Sequence, residues 1–598
     1  MRLVLLALIL VAVSLAVFQF AQTKETKKIA SFSSPEEFRE YFGRSSGYYP
    51  DFSRTIPSFS IPAQMSDQEI AVVEKGAERF SQTNVQVLGI DEPDIVKTDG
   101  KNIYISRYQK VPYFAGKILP PYPYEQKTAV VKAFPPSELR KILELNASGE
   151  ILVYGSTVVI LEGNRLKAFS TDDFAEKYTV DLNGSIVAAR LHEGKIYIVV
   201  SQYSEVCPIV PLSVNGVGWA VDCSSIYHPV KPVPVEVLYT VIKLDATSGR
   251  IEGSISFVGN YASVVYVSKE AIYVSYYSQA DYSEIMLKFA CENRDLFPEW
   301  FLEKLQKLVS YDLSDQAKRV EIWDLIRKLT LNMRPEERIV FENEFSNRYG
   351  KFAEFHSREI EKTEIWKISP EMKIVASGEV PGRLLNQFSM DEYGGYLRVA
   401  TTVGNANDLY ILDPDLRIVG SIRGFGETER IYAVRFIAER GYIVTFRQTD
   451  PFFVIDLSDP ENPKMAGELK IPGYSSYLHP LGGSLILGIG MEGSNVKLSL
   501  FDVSDPRNPV EVDKYLLKES WSEVMGNHRA FLADEKHEIF FIPAGAGYVF
   551  SYRDGLKLIK ATETGFRAVF INDYLYVVGS KIVVFDENSW EKVAELEI

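Results

Sequence analysis

A short apolar run that ends in aspartate recurs along this 598-residue chain, at Leu244-Asp245, Leu412-Asp413, Ile455-Asp456, Phe501-Asp502 and Phe585-Asp586. Asp413 and Asp456 are 43 residues apart, and Asp456 and Asp502 are 46 apart. A period of that length is what four short antiparallel strands and their turns occupy in one blade of a β-propeller. A second recurring element is a β-rich arm that follows a turn. It appears at 102–106 after Asp99-Gly100, at 195–200 after Glu193-Gly194, at 442–446 after Arg440-Gly441 and at 574–580 after Asn572-Asp573. Within one unit the strands run 432–438, 442–446, 452–456 and 467–471, the last preceded by a turn at Ser458-Asp459-Pro460.

A single such sheet leaves both faces exposed, so several must stack around an axis to bury them. Nine candidate units begin near Asp94, Glu150, Ile186, Ala262, Leu385, Ile431, Ser476, Trp521 and Phe566. Propellers usually hold four to eight blades. The expectation is therefore an all-β chain forming a single propeller over 83–598, with eight four-stranded antiparallel blades inside a range of seven to nine. One early unit would be degenerate or shared in closing the ring. From 283 to 360 the β pattern lapses and helical patterns replace it at 297–309, 314–330 and 335–355. Ser314 is placed to cap the second of these, with Val320, Trp323, Ile326 and Leu329 on one face. The segment reads as a helical insertion in the fourth blade, either a lid or docking arm or a subdomain resting on the propeller.

Ahead of the repeats, Arg2 precedes an apolar run over residues 3–20 broken only by Ser14 and Gln19. Residues 1–22 thus read as an export signal, either cleaved or retained as a membrane anchor, and give a secreted or cell-surface localisation. Residues 23–82 read as a linker with a short helix near 67–80. Of the three cysteines, Cys207 and Cys223 bracket a Pro- and Gly-containing loop that a disulfide would staple, leaving Cys291 over. A formal net charge of -15 with no Lys/Arg stripe excludes a nucleic-acid partner.

Several stretches carry a resemblance. They are Thr83 to Val87 with Gly89, Asp91-Glu92, 94–100, Gly382 with 386–392, Leu397-Arg398, 429–431, 434–436, 444–447, 456–460 and 477–480. Over about 81–598 the chain resembles a family of secreted proteins with a C-terminal β-propeller domain distantly related to WD-40 repeats. The resemblance implies a propeller fold and export, and no activity.

If each blade begins with its innermost strand, the polar residues of the first strands line the central channel. Asp94, Asn386, Gln387, Arg435, His479, His528 and Arg567 are those binding candidates, with Lys97 and Arg190 beside them. Such a ring suits an anionic or polyhydroxyl ligand held by charge-assisted hydrogen bonds. The plainer reading is that these groups satisfy one another. Asp91-Glu92-Pro93-Asp94 offers oxygen ligands for Ca2+ but lacks the D-x-D-x-D-G loop, which favours turn formation and pairing with Arg or Lys.

None of the six histidines shows a metal-binding spacing, so no metal site is predicted. Nucleophile elbows and phosphate loops are likewise missing from the sequence, and the six tryptophans show no per-blade repeat that would suit a quinone cofactor. The expected function is an extracytoplasmic binding or scaffolding propeller for a protein, peptide or glycan of the cell envelope. The alternative is a secreted hydrolase or lyase with Arg435 and His479 at the channel mouth. A third reading is a structural component of the cell surface.

Overall fold

Four consecutive strands, each hydrogen-bonded antiparallel to the next in chain order, form the unit that the repeat announces. In the computed structural model, which describes residues 29–45, 77–106, 127–230, 237–260, 264–446 and 450–598, nine sheets are built on that unit; seven have four strands and two have six, and in the third a hairpin and a short strand intervene between its second and third strands. Blades 1 to 9 begin at Val96, Glu150, Ser185, Val264, Met390, Arg430, Tyr474, Leu532 and Arg567. The second and third strands of a blade are buried nearly throughout, as in Leu485–Glu492 and Asn495–Asp502, because a neighbouring blade covers each face. Fourth strands such as Val510–Leu517 alternate exposed and half-buried residues, which marks the rim.

Nine hydrophobic cores separate the nine blades, each built from facing residues of two neighbours. The one that closes the circle joins Val569, Ile571 and Tyr576 of blade 9 to Val96, Ile103 and Val131 of blade 1. The sheets therefore form a ring. The expected count of eight is corrected to nine, because no early unit is degenerate and neither end blade is shared between the chain termini. The seam is sealed instead by the residues before blade 1. Phe80 bridges Ile571, and the Ser81 N–H donates to the Phe570 carbonyl at 2.9 Å. Gly100 makes room for this closure, since a Cβ there would lie 2.7 Å from the Phe80 ring.

Asp456 and Asp459 accept backbone N–H groups two residues on, at 3.0 and 3.1 Å, so the Ser-Asp-Pro segments are turns. Each seats on the blade before it. The Pro460 carbonyl lies over Gly420 and the Pro506 carbonyl over Gly467, where an added Cβ would come within 2.2 and 2.3 Å.

The helical insertion separates Ile272–Gln279 from Glu361–Ile368, the second and third strands of blade 4, whose ends Gln279 and Glu361 pair directly. Its helices bury their own core around Phe289, Phe297, Phe301, Leu305, Ile322 and Phe352. Of the apolar face expected for the helix Asp315–Leu331, Ile326 and Leu329 pack inward, beside Lys318, Ile322 and Leu325, but Val320 and Trp323 are 60% and 59% exposed, so the face is corrected at those two positions. Both stripes have helical spacing. The inward one gives Lys318 partners in the Val309 carbonyl at 3.1 Å and Asp281 at 3.7 Å.

Residues 1–22 lie outside the described residues, as does most of the helix expected near 67–80; residues 77–80 are not helical. Within the expected linker, 29–45 form a strand, Ile29–Ser31, and a helix, Pro35–Ser45. The strand pairs with Ile226–Pro229 at the edge of blade 3. Phe32, Phe38, Tyr41 and Phe42 pack there against Cys207 and Cys223, which are joined by a disulfide with Cα atoms 5.4 Å apart. Among the described residues, no helix is long and apolar enough to cross a membrane.

Candidate functional site

The inner strands of a propeller face a channel, and here residues 79–95 run through it. Asn84 Nδ2 donates to the Tyr477 hydroxyl of blade 7 and to the His528 carbonyl just ahead of blade 8, both at 2.7 Å. Gln86 Nε2 reaches the Gln387 and Met390 carbonyls where blade 5 begins, at 2.9 and 3.2 Å. Asp91 pairs with Leu191 on the inner strand of blade 3, and Asp94 with Ile151 on that of blade 2. A segment that touches inner strands all round a ring can lie only on its axis. The chain therefore plugs its own channel before it enters blade 1 at Val96.

The plug brings acids to the basic groups of the blades. Glu92, 3% exposed, lies 3.4 Å from the Arg190 guanidinium and 3.2 Å from His528 Nε2, and accepts the Gln86 N–H at 3.1 Å. Burial favours the neutral acid, but Arg190 and His528 outweigh it and hold the carboxyl well below its usual range. Asp94 takes Arg567 through two bonds of 2.8 and 3.0 Å, and Arg567 also reaches Glu523 at 3.0 Å. Burial works against the guanidinium charge, yet Asp94 and Glu523 raise its pKa above the ordinary value. Lys97 Nζ donates to Asp91 and to the Glu92 carbonyl, both at 2.6 Å. Despite that pairing, burial pushes the Asp91 carboxyl up. Arg529 binds Glu150 at 2.8 Å and donates to the Pro93 carbonyl. The carboxylates of 91–94 thus diverge onto Lys97, His528 with Arg190, and Arg567, and do not converge as a Ca2+ cage would require.

The sequence candidates fall into two groups. Asp94, His528 and Arg567 belong to this network, and Gln387 joins its edge by accepting Arg190 at 3.2 Å. Asn386, Arg435 and His479 form the second group, in which His479 meets the plug through the Tyr477 hydroxyl that Asn84 also reaches. Asn386 accepts the Phe388 N–H at 3.0 Å and shapes a local turn. His479 is buried, 3.1 Å from the Tyr477 hydroxyl, and burial, then the Arg435 charge, pulls its pKa well down. Neither His479 nor the buried Arg435 stands at an open mouth. Asn84, Gln86, Glu523 and Arg529 went unforeseen; the string of residues 83–100 noted above is a signal for Asn84 and Gln86 and not for Glu523 or Arg529. A group of potential metal ligands, Asp534, His537 and Glu587, was likewise missed because its members lie in two different blades.

Beside the axis, a cleft of about 510 Å³ opens between blades 8 and 9, lined by Trp521, Glu523, Pro543, Gly545, Phe566 and Ser580. Trp521 is 48% exposed there. Glu523 faces the cleft and holds Arg567, which joins the cleft to the axial network.

Residues 80–589 match the family model described as a beta propeller domain. An uncharacterized protein of Archaeoglobus fulgidus is 51% identical over 99% of each chain. A second, from Methanocaldococcus jannaschii, is 37% identical over 95% of this chain and 92% of that one. Among solved structures, apo AztD from Citrobacter koseri aligns with a TM-score of 0.36 and 10% identity over 74% of this chain and 94% of its own. BamB from Moraxella catarrhalis aligns with the same TM-score, 0.36, and 8% identity over 73% and 93%. The family match runs through most of the chain and not through a C-terminal part alone.

Proposed function

The chain belongs to the beta propeller domain family, and from that premise we propose that it is an extracytoplasmic binding and scaffolding propeller for a peptide or glycan of the cell envelope. The holding surface in this reading is the cleft between blades 8 and 9, with Trp521 and Glu523 as its contact residues. One observation carries it: the axial polar groups are taken up by residues 84–94, whereas Trp521 keeps 48% of its surface exposed beside a carboxylate in a cleft of about 510 Å³. An indole face stacks on a sugar ring or an apolar side chain, and a carboxylate accepts hydroxyl or N–H donors, so the pair suits either ligand. The apolar run over residues 3–20 and the Cys207–Cys223 disulfide support an oxidising compartment outside the cytoplasm.

The test is retention of envelope glycans and peptides on the immobilised chain, with Trp521→Ala as the paired variant. At least a tenfold loss of retention by a variant of unchanged circular dichroism is the expected outcome. Equal retention by both proteins would move the ligand elsewhere, and turnover of a small substrate with no retained partner would replace binding with catalysis.

A further inference from the structure

Two buried carboxylates meet where blades 8 and 9 join the start of the plug. Asp534 ends the strand Leu532–Asp534, His537 lies in the turn that follows, and Glu587 comes directly after the strand Lys581–Asp586. Ligand atoms of these three side chains lie within 4.8 Å of one another. Asp534 is 1% exposed and Glu587 3% exposed, yet Asp534 Oδ2 and both oxygens of Glu587 have no hydrogen-bond donor among the described residues.

Nearby positive charge does not fill this gap. Arg79 commits Nη1 to Asp534 Oδ1 at 2.6 Å, and its Nη2 stays 3.7 Å from both Glu587 and Asp573. Lys536 is engaged by Asp573 at 2.5 Å. Buried carboxylate oxygens without donors are costly, and the cost is removed by a proton or a cation.

We propose that Asp534, His537 and Glu587 form a binding site for a divalent transition-metal ion of the zinc class, which ties blade 8 to blade 9 beside Arg79. The donor set decides the class. One imidazole nitrogen with two carboxylates suits zinc and its first-row neighbours, whereas calcium takes all-oxygen sites. The imidazole nitrogen that faces Glu587, at 3.8 Å, is Nε2, which also sits 2.9 Å from Asp573 Oδ1. The bound ion would draw on residues from two blades, so its effect on stability would be felt at the junction of blades 8 and 9.

The test uses the full chain, stripped with a chelator and titrated with Zn2+ by calorimetry while the thermal midpoint is followed. One equivalent should bind and raise the midpoint. Co2+ should give a visible absorption band at the same stoichiometry. Glu587→Gln and Asp534→Asn should each weaken Zn2+ binding at least tenfold. Glu587→Gln replaces a buried acid by a neutral side chain of equal size, so its fold, checked by circular dichroism, should be kept. Failure of the wild-type chain to bind Zn2+ or Co2+ saturably would overturn the proposal. So would binding that neither substitution alters, or tighter binding of Ca2+ than of Zn2+.

Discussion

Glu92 and His528, 436 residues apart in sequence, meet at 3.2 Å on the axis of the ring. Both are buried, and Arg190 of a third part of the chain stands 3.4 Å from the same carboxylate. A contact of this kind pins the plug to opposite sides of the propeller. Removing one member of a buried pair leaves the others uncompensated, which typically costs about 3–5 kcal/mol. Glu92→Ala should therefore lower unfolding stability by about that amount in a guanidinium titration.

Acid should weaken the ring through its buried histidines. Burial draws the His479 and His528 pKa values below 6.5, so the unfolded chain takes up protons that the folded chain refuses. Stability should fall as the pH drops below about 6.5, by up to about 1.4 kcal/mol per pH unit for each histidine. Glu92 adds to the loss only at lower pH, because its depressed folded pKa keeps its contribution intact down to about 4.5, the ordinary glutamate value. The slope between pH 6.5 and 5 should be shallower in His479→Gln, and an unchanged slope would contradict the assignment.

The seating of turns on glycines is open to a paired test. A Cβ on Gly467 would meet the Pro506 carbonyl oxygen at 2.3 Å, a backbone atom that cannot swing aside. Gly467→Ala should cost about 1–3 kcal/mol. Gly350, in the helix Pro335–Phe355, has nothing within 4 Å of such a Cβ, and alanine there should stabilise by about 0.5–1 kcal/mol. Thermal midpoints that move in opposite directions would bear out both readings.

Cys207 and Cys223, 16 residues apart, clip the base of a hairpin that adds Ile209–Val214 to the fourth strand of blade 2. Closing a loop of that length stabilises by about 3 kcal/mol. Replacing both cysteines by serine should cost about that much, and limited proteolysis should cut first near the hairpin and the helix Pro35–Ser45 that packs on it.

The blades were legible in the sequence because alternation at period 2 and turn residues are local signals that each unit repeats. What escaped was non-local. The third unit lends a hairpin to the second, a pairing that no local signal shows, and one early blade was discounted because propellers usually hold four to eight. Polar residues on first strands marked Asp94, His528 and Arg567, since a polar group at a buried strand position needs a partner. Their partners came from residues 84–94, which have no periodicity, and from Glu523, so the filled axis could not be foreseen. The helix Asp315–Leu331 carries two apolar stripes, and spacing alone does not choose between them.

Amide hydrogen exchange across residues 83–95 tests the occupied axis most directly. The Asp91 N–H donates to the Leu191 carbonyl at 2.7 Å, and the Asp94 N–H to the Ile151 carbonyl at 3.2 Å. Peptides from this segment should exchange as slowly as those from inner strands such as Arg567–Ile571. Exchange of 83–95 at the rate of an unprotected chain, with the strands still protected, would mean that the channel is open and the polar ring free to bind.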